Sequence, residues 1–328
     1  MIKTQLYRVP LETPENVEAL ADILHPLLPL SLTALGCLYA GDINTPNGTG
    51  NIDAWITFPV DQLANPPSLF SIFILTGWND WQLRFFCSTE TSTLPPTREE
   101  EEHVVGAFNA FAYALQSQDP VVEGCNGKRI LNSRDMAGLF VGALHDRWAE
   151  CLAPGIFMTS PCIRFASRPV FNGDEPAWNT FDGEGDWEFG ELRESDLDFV
   201  KDRSVFPRSM EFLKQRIPYS VCIRRKGGEG LPIAWEVLYP DGSSGMLHVE
   251  PDYRKAGLGR KCVAALSRKM AQRYRSSENK KSKERYPYVR WELSDVVIGN
   301  DAGLKLAASR KGWKHSWICH WAHLRIIE

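Results

Sequence analysis

The sequence predicts an α/β protein with two domains. Its 328 residues are more than one hydrophobic core usually needs, and they suit two domains of ordinary size. Segments with helical spacing of apolar residues alternate along the chain with segments typical of strands. Residues 172–190 are rich in glycine and acidic residues, which is typical of a linker. We therefore place one domain at residues 1–175 and the second at residues 190–328.

In the first half, helix and strand signals follow one another without a recognisable site. Thr13 has the residue type of a helix N-cap, Pro14 suits the first helical position, and Glu15 adds negative charge to the first turn. The predicted elements are helices at 14–28, 99–116 and 136–148 and strands at 52–60, 69–76, 82–88 and 155–163. Residues 31–40 fit a helix end or a strand, and residues 41–51 fit a loop. The sequence of this half contains no phosphate-binding loop, nucleophile elbow or paired metal ligands, so it does not indicate a chemistry.

The second half gives sharper signals. Pro240-Asp241-Gly242 predicts a tight turn, because proline fixes φ, aspartate bonds its own backbone and glycine tolerates a positive φ. The predicted elements are helices at 194–201, 209–216, 258–274 and 301–310 and strands at 219–224, 233–239, 243–250, 288–293 and within 314–326. Trp178 and Trp187, in the linker, are interpreted as anchors onto a domain surface rather than as ligand contacts.

Composition and charge argue against several functional classes. Apolar residues make up 43% and charged residues 24% of the chain, which is the range of a soluble globular protein. The formal net charge of −4 argues against a nucleic-acid partner. The apolar run at 19–38 is interrupted by Pro26 and Pro29, which argues against a membrane span. The N-terminus lacks the apolar segment of a secretory signal, so we expect a cytoplasmic protein without a membrane partner.

The cysteines form neither a metal-binding nor a disulfide pattern. They are Cys37, Cys87, Cys125, Cys151, Cys162, Cys222, Cys262 and Cys319. No two of them form a C-x-x-C pair, and none has the His-rich spacing of a zinc site. We therefore expect free thiols in a reducing compartment and no bound metal.

The segment Arg254-Lys255-Ala256-Gly257-Leu258-Gly259 carries the strongest functional signal. It lies between a predicted strand and a predicted helix, where the first helical amides have no internal partner and the helix dipole leaves positive charge. The two glycines let the backbone approach a bulky anion such as a pyrophosphate, and Arg254 and Arg260 can add charge-assisted hydrogen bonds. The dinucleotide-binding and P-loop patterns are not met. The segment instead fits the pattern R/Q-x-x-G-x-G/A.

Residues 245–260, with the strand before the glycine turn and the basic helix after it, resemble motif A of the GNAT superfamily of acyl-CoA N-acyltransferases. The resemblance extends from about residue 191 to the C-terminus, and Asn300 with Gly312-Trp313 resembles the family's later Asn…Gly-Phe segment. Within the superfamily, the chain is most similar to the glycine N-acyltransferase-like branch. The segments that carry this likeness are Leu197-Asp198-Phe199-Val200, Phe206-Pro207-Arg208, Pro232-Ile233-Ala234-Trp235 and Asp252-Tyr253-Arg254.

The resemblance has consequences for the fold of both halves. It implies a GNAT fold for the C-terminal half, with a mixed, mostly antiparallel sheet flanked by helices. The region around Leu30-Ser31-Leu32, followed by strands, resembles the divergent N-terminal half of the same branch. The first half is therefore implied to be a degenerate GNAT-like α/β domain that leaves the coenzyme to the second half.

The resemblance also implies a reaction. Acetyl-CoA or another acyl-CoA, as co-substrate, lies between the strands at 243–250 and 288–293, and a backbone N–H near Val249 polarises the thioester carbonyl. An amine of a small molecule or amino acid attacks directly. The residues implied to bind the coenzyme are Leu247, Val249, Arg254, Lys255, Ala256, Gly257, Leu258, Gly259, Arg260 and Asn300. A protein or peptide acceptor, and a GNAT fold used for acyl-CoA binding or non-standard acyl chemistry, stay open, as does the oligomeric state.

The chain departs from the family at two catalytic positions. Many members carry a glutamate general base on the strand before the turn, where this chain has Ser243 or Ser244, and a leaving-group tyrosine where it has Ala307. We predict His248, Glu250 and Ser243 as catalytic: His248 has a suitable intrinsic pKa, and Ser243 can hold a water. A β-bulge would bring His248 and Glu250 to the face of Ser243. Other candidate acids and bases are Tyr288, Asp241, His315, His320 and His323.

Overall fold

The chain divides into two compact units. A computed structural model describes residues 4–44, 52–76, 82–117, 139–168, 176–180, 186–205, 208–227, 230–276 and 291–325. The first unit comprises Met1–Arg164, Val297–Gly299 and Ser316–Glu328, and the second comprises Phe165–Val296 and Asn300–His315. Strands flanked by helices build each unit, which confirms the predicted α/β class. The domain limits at residues 175 and 190 stay a prediction.

Seven described strands form the sheet of the first unit. In order across the sheet they are β1 (Tyr7–Val9), β2 (Ile52–Ile56), β3 (Ser71–Thr76), β4 (Gln82–Cys87), β5 (Leu139–His145), β12 (Lys314–Leu324) and β6 (Ile156–Ser167). Neighbouring strands from β1 to β4 pair antiparallel, and β12 pairs antiparallel with β5. β4 and β5 are parallel.

An aromatic core joins this sheet to its longest helix. The described helices of the first unit are α1 (Pro14–Leu24), α2 (Leu32–Asn44), α3 (Arg98–Ser117) and α4 (Ala149–Leu152). On α3, Phe111 stacks on Phe73 with ring centroids 4.8 Å apart, and Phe108 lies 4.6 Å from Phe85. Phe108 and Phe111 are three residues apart and therefore share one face of the helix. This confirms the helix predicted from their spacing.

Two predictions for this unit are wrong. The helix predicted at 136–148 is instead strand β5, whose Val141 and Leu144 are fully buried between β4 and β12. The residues of β5 are paired with a strand on either side and are mostly buried, so this segment lacks the exposed polar face of a surface helix. In addition, Ala143 has a φ of 61°, which lies outside the right-handed helical region. The loop predicted at 41–51 is helical as far as Asn44, because α2 continues from the preceding segment. Residues 45–51 lie outside the described residues.

The second unit has the mixed, mostly antiparallel sheet that was predicted. Its described strands, in order across the sheet, are β11 (Glu292–Val297), β10 (Ser243–Val249), β9 (Ala234–Leu238), β8 (Ser220–Arg225) and β7 (Trp187–Gly190). All neighbours are antiparallel except β10 and β11, which are parallel. The described helices are α5 (Leu197–Asp202), α6 (Met210–Arg216), α7 (Leu258–Ser276) and α8 (Asp301–Ala308). The strand predicted at 288–293 begins at Glu292, and residues 277–290 lie outside the described part.

The central strand β9 sends alternate side chains into two different layers. Trp235 and Val237 are buried in one cluster with Leu192, Val200 and Cys222. Glu236 and Leu238 line a cavity under α7 on the opposite face. This alternation follows from the period of two in a strand.

The two tryptophans of the predicted linker contact the second unit. The Trp178 backbone N–H donates to Gln272 Oε1 of α7 at 3.3 Å, and the Lys269 ammonium lies 4.7 Å from the Trp178 ring centroid. Trp187 begins β7 and meets the Tyr253 ring edge-on at 5.6 Å. Both are therefore anchors, as predicted. Residues 169–175 and 181–185 lie outside the described residues.

Candidate functional site

Strands β10 and β11 part soon after they begin to pair. Their parallel register contains Ser243↔Leu293 and Ser244↔Ser294, and no later pair joins the two described strands. The Ser294 hydroxyl donates to the Ser244 carbonyl oxygen at 3.3 Å, which fixes the point of separation. Beyond this point, the facing edge of β10 has no strand partner. A strand edge of this kind can hydrogen-bond an extended ligand.

A β-bulge lies on β10 just past the point of separation. The register with β9 jumps from Gly245↔Val237 to His248↔Trp235, so that two residues of β10 face one residue of β9. Met246, inside the bulge, has a φ of 54°. A side chain at Gly245 would meet the Tyr239 ring at 2.4 Å, so this position requires glycine. The bulge on which the facing of His248 depended is therefore present.

The glycine turn joins β10 to the start of α7. Lys255 and Gly257 have φ values of 68° and 77°, and α7 begins at Leu258. Its first turn contains no acidic residue, and the N–H groups of that turn have no partner within the helix. The Arg254 Nε donates to the Val249 carbonyl oxygen at 3.0 Å and ties the turn to the strand end. The turn thus presents amide donors and basic side chains together, an arrangement suited to a phosphate group.

Apolar side chains hold this turn against the strand. A Cβ at Gly259 would lie 3.5 Å from Val249, 3.7 Å from Leu306 and 4.0 Å from Leu247, which are ordinary contacts. Leu258 is buried. The structure therefore brings the predicted coenzyme residues of β10 together with those of the turn. The positive φ of Gly257 favours glycine there, whereas the space at Gly259 would accept alanine.

Asn300 has a structural role in α8. It is the N-cap residue, and its Oδ1 accepts a hydrogen bond from the Gly303 backbone N–H at 3.0 Å. Leu306 of the same helix lies near Gly259, so α8 packs beside the start of α7. A part for Asn300 in coenzyme binding stays a prediction, since one of its polar atoms is already engaged.

His248 lies over a buried tryptophan and beside a carboxylate. Its ring stacks on Trp235 with centroids 4.4 Å apart, and its Nε2 is 3.2 Å from Glu250 Oε1. Arg203 Nε donates to the same Glu250 oxygen at 2.6 Å. A carboxylate only accepts, so Nε2 carries the hydrogen and Nδ1 keeps its lone pair in the neutral ring. Burial lowers the pKa of His248, which favours that neutral form at physiological pH.

The two serines at the start of β10 have different partners. Ser243 is buried, and both its hydroxyl and its backbone N–H donate to Asp241 Oδ1, at 2.6 and 3.0 Å. It belongs to the predicted turn, in which Gly242 has a φ of 83°. The Ser244 hydroxyl instead hydrogen-bonds the Glu236 carboxylate. A catalytic role for Ser243 stays a prediction, and its hydroxyl hydrogen is already committed to the turn.

Glu236 was missed by the sequence reasoning. Its side chain is only 3% exposed, and its Oε2 has no hydrogen-bond partner among the described residues. Burial raises its pKa to about 7, while Arg310 and Ser244 act in the opposite direction. It lines a cavity of about 30 Å³. The available signal was a single acidic residue inside the apolar run Ile233-Ala234-Trp235-Glu236-Val237-Leu238.

A half-buried ion pair lines the other side of this cavity. Arg310 donates to Glu292 Oε2 at 2.7 Å, and the Trp313 indole N–H donates to the same oxygen at 2.9 Å. The Ser267 hydroxyl donates to Glu292 Oε1. Glu292 is therefore fully engaged, in contrast to Glu236.

Comparison with known proteins agrees with this geometry. Residues 220–278, which span β8 to α7, match the family model described as FR47-like protein. No curated protein sequence matches the chain significantly. None of the helices in the described part of the chain is long and apolar enough to cross a membrane.

Solved structures resemble the chain over nearly its whole length. A Drosophila protein has 16% sequence identity and a TM-score of 0.63, covering 98% of this chain and 99% of its own. A GCN5-related N-acetyltransferase from Sphaerobacter thermophilus has 10% identity and a TM-score of 0.48, covering 98% and 97%. A tandem GNAT protein from the clavulanic acid biosynthesis pathway has 12% identity and a TM-score of 0.45, covering 97% and 98%. The Drosophila likeness shows a shared fold, and the family match over residues 220–278 supports the GNAT superfamily for this chain.

Proposed function

We propose that the protein is an acyl-CoA-dependent N-acyltransferase that moves an acetyl or other acyl group to an amine of a small molecule or amino acid, as in the glycine N-acyltransferase-like branch. One observation carries this proposal. β10 parts from β11 after Ser244, and the edge it exposes leads directly into a glycine turn and a helix start without acidic residues. An extended chain that ends in a pyrophosphate, as in acyl-CoA, fits this combination of strand edge and anion site.

The residues that would hold the coenzyme divide by chemistry. The amides of residues 255–259, with Arg254 and Arg260, would bind the pyrophosphate. The backbone of Leu247 and Val249 would bind the extended arm along the edge of β10. A backbone N–H near Val249 would stabilise the oxyanion that forms when the thioester carbonyl is attacked.

His248 is the proposed base for the amine. A primary amine is an ammonium ion at neutral pH and must lose a proton before it can attack. His248 has a lowered pKa, a lone pair on Nδ1 and a carboxylate at Nε2 that stabilises the charged ring after it accepts a proton. Glu250 and Arg203 then act by holding the ring in place rather than by contacting the substrate.

The experiment is a measurement of free thiol released from acetyl-CoA and longer acyl-CoAs over a panel of amino acids, small amines and lysine peptides, with product masses detected directly. We expect release with a small amine. His248→Gln should lower kcat/KM about 100-fold and remove the low-pH limb, which should lie below the usual histidine pKa. His103→Gln is the matched control, because His103 of the first unit is also half-buried and hydrogen-bonded and its pKa is also lowered by burial. Tight acyl-CoA binding without thiol release from any pair would overturn the proposal, and release only with peptides would transfer it to a protein acceptor.

A further inference from the structure

Glu236 is a buried carboxyl group that no structural contact fully accounts for. One of its oxygens has no partner among the described residues, although the side chain is 3% exposed. Leaving a buried carboxylate oxygen without a partner is costly, so such a group usually has a function or an unobserved partner. Its known hydrogen bond is to Ser244, the residue at which β10 and β11 part.

The cavity beside Glu236 reaches the same place. Glu236 and Ser244 both line it, together with Trp291, the residue before β11. Its volume of about 30 Å³ is enough for roughly one or two water molecules. A hydroxyl and a small, mainly apolar cavity, into which Glu236 and Ser244 bring polar groups, therefore connect the buried carboxyl group to the edge of the opening between the strands.

Glu236 and His248 lie on opposite faces of the sheet. His248 pairs with Trp235, and Glu236 is the next residue along β9, so its side chain points to the other layer. The conversion of an ammonium ion to an amide releases two protons from nitrogen. His248 on one face can take the first, and the second requires another acceptor.

We propose that Glu236 holds the second proton of the acyl transfer, with the Ser244 hydroxyl and water in the adjoining cavity as its path. The inference rests on the proposed function and adds to it a residue on a different strand from the predicted bases. It also gives a role to Ser244, one of the two serines that stand where many family members carry a glutamate base, and a serine hydroxyl cannot itself retain a proton.

The proton balance of the step is complete. After His248 has taken one proton, the neutral amine nitrogen bonds to the thioester carbonyl carbon and becomes positively charged. Its remaining excess proton passes through Ser244 and water to Glu236 Oε2. The carbon–sulfur bond then breaks, the electron pair leaves with coenzyme A as a thiolate, and the proton held on Glu236 returns to that sulfur.

The charged groups around Glu236 allow it to change protonation state. Arg310, Glu292 and Cys262 are the titratable groups that act on it electrostatically. Arg310 Nη2 forms an ion pair with Glu292 Oε2 at 2.7 Å, so the charge of Arg310 is largely neutralised by Glu292. Glu236 therefore has no permanent counter-ion that would fix it as a carboxylate.

The test compares wild type with Glu236→Gln and Ser244→Ala, using acetyl-CoA and the best amine from the panel. Glu236→Gln should lower kcat about 100-fold, flatten the pH dependence near 7 and leave the Kd for acetyl-CoA unchanged. Ser244→Ala should cause a smaller loss with the same change of pH profile. Ser267→Ala makes the same substitution in the same cavity, but Ser267 bonds Glu292, so we expect wild-type kinetics. Wild-type kcat and pH profile in Glu236→Gln would overturn the inference.

An infrared difference spectrum tests the protonation of Glu236 without catalytic turnover. We expect a protonated-carboxyl band that is absent in Glu236→Gln and that shifts when a thioether analogue of acetyl-CoA binds wild type. If wild type transfers no acyl group to any amine, the proposed function fails. If the band does not respond to the analogue, the inference about Glu236 fails even where acyl transfer is observed. Should Glu236→Gln not fold, Glu236→Asp assigns the band and Ser244→Ala supplies the kinetics.

Discussion

The two units contain the same strand–turn–helix arrangement, but they differ in the charge at the helix start and in the size of the side chains beside the strand. β4 in the first unit and β10 in the second each pair antiparallel with the preceding strand. Each also pairs in parallel, for two residue positions, with a later strand. Each leads through a 3-10 turn into a long helix, of 20 residues in α3 and 19 in α7. The two units therefore share a backbone frame, and we expect their side chains to decide which of them binds the coenzyme.

The helix starts differ in charge. The first turn of α3 contains Glu99, Glu100 and Glu101, whereas that of α7 contains no acidic residue. Acidic side chains at a helix N-terminus satisfy its dipole and repel a phosphate. The segment before α3 also contains Pro95-Pro96 in place of the glycine turn. We therefore expect an anion to bind at α7 and not at α3.

The gap beside the strand also differs between the units. In the first unit, Arg84 is 3% exposed and lies over the Trp321 ring at 4.9 Å. A Cβ at Gly142 of β5 would lie 2.2 Å from its Nη1, so the guanidinium fills the space between β4 and β5. At the corresponding place on β10 stand Ser244 and Gly245, which are small. We therefore expect the acyl-CoA chain to lie beside β10 and not beside β4.

Among the changes that exchange or disturb features of the two units, the largest effect is expected when α7 is given the charge of α3. Arg260→Glu should weaken acetyl-CoA binding by about 100-fold, because a charged hydrogen bond contributes about 1.5–3 kcal/mol and is replaced by repulsion. Folding should be preserved, since a glutamate suits a helix N-terminus. Isothermal titration measures the effect, with Lys305→Glu on the exposed face of α8 as the control for net charge. Equal affinities for Arg260→Glu and wild type would remove the distinction between the two helix starts.

A smaller effect is expected when a side chain is added at Gly142, where the Arg84 guanidinium fills the space between β4 and β5. Gly142→Ala should lower the free energy of unfolding by about 1–3 kcal/mol, because the added Cβ would lie 2.2 Å from the buried Arg84 guanidinium and 3.0 Å from the Trp321 ring. Acetyl-CoA affinity should not change. Denaturant unfolding and titration measure the two quantities, and Gly190→Ala, where the added Cβ meets nothing within 4 Å, is the control. A loss of affinity in Gly142→Ala would contradict the assignment of the coenzyme to the second unit.

The smallest effect concerns Glu90, which is buried in the 3-10 turn after β4. It accepts hydrogen bonds from Trp148 Nε1 and the Cys87 backbone N–H, both at 3.0 Å, and burial raises its pKa to about 8. Between its unfolded and folded pKa values the native state binds the extra proton, so stability falls as pH rises, by about 1.4 kcal/mol per pH unit. Denaturant unfolding at pH 6 and 7 should show this loss in wild type relative to Glu90→Gln. A pH-independent difference between the two proteins would show that the carboxyl group does not titrate in this range.

The sequence was sufficient to predict the strand, turn and helix of the site, but not the surroundings of its candidate acids and bases. The glycine turn, the helix after it and the strand before it follow from local rules, and the structure has all three. The bulge at Met246 and the stacking of His248 on Trp235 depend on pairing between strands, which residue spacing does not determine. Glu236 was missed because strand periodicity shows which residues alternate but not that one acidic residue is enclosed under a helix. β5 was mistaken for a helix because its burial depends on pairing with both neighbouring strands, which residue spacing also does not show.

Isothermal titration of acetyl-CoA into wild type, Gly257→Val and Gly227→Val tests directly whether the glycine turn before α7 binds the coenzyme. Both glycines have a positive φ, of 77° and 92°, and in both cases an added Cβ meets nothing within 4 Å, so the two substitutions impose a similar backbone strain. Gly257 alone lies in the turn before α7. We expect tight binding by wild type and Gly227→Val and no measurable binding by Gly257→Val. Equal binding by all three proteins, or no binding by wild type, would contradict it.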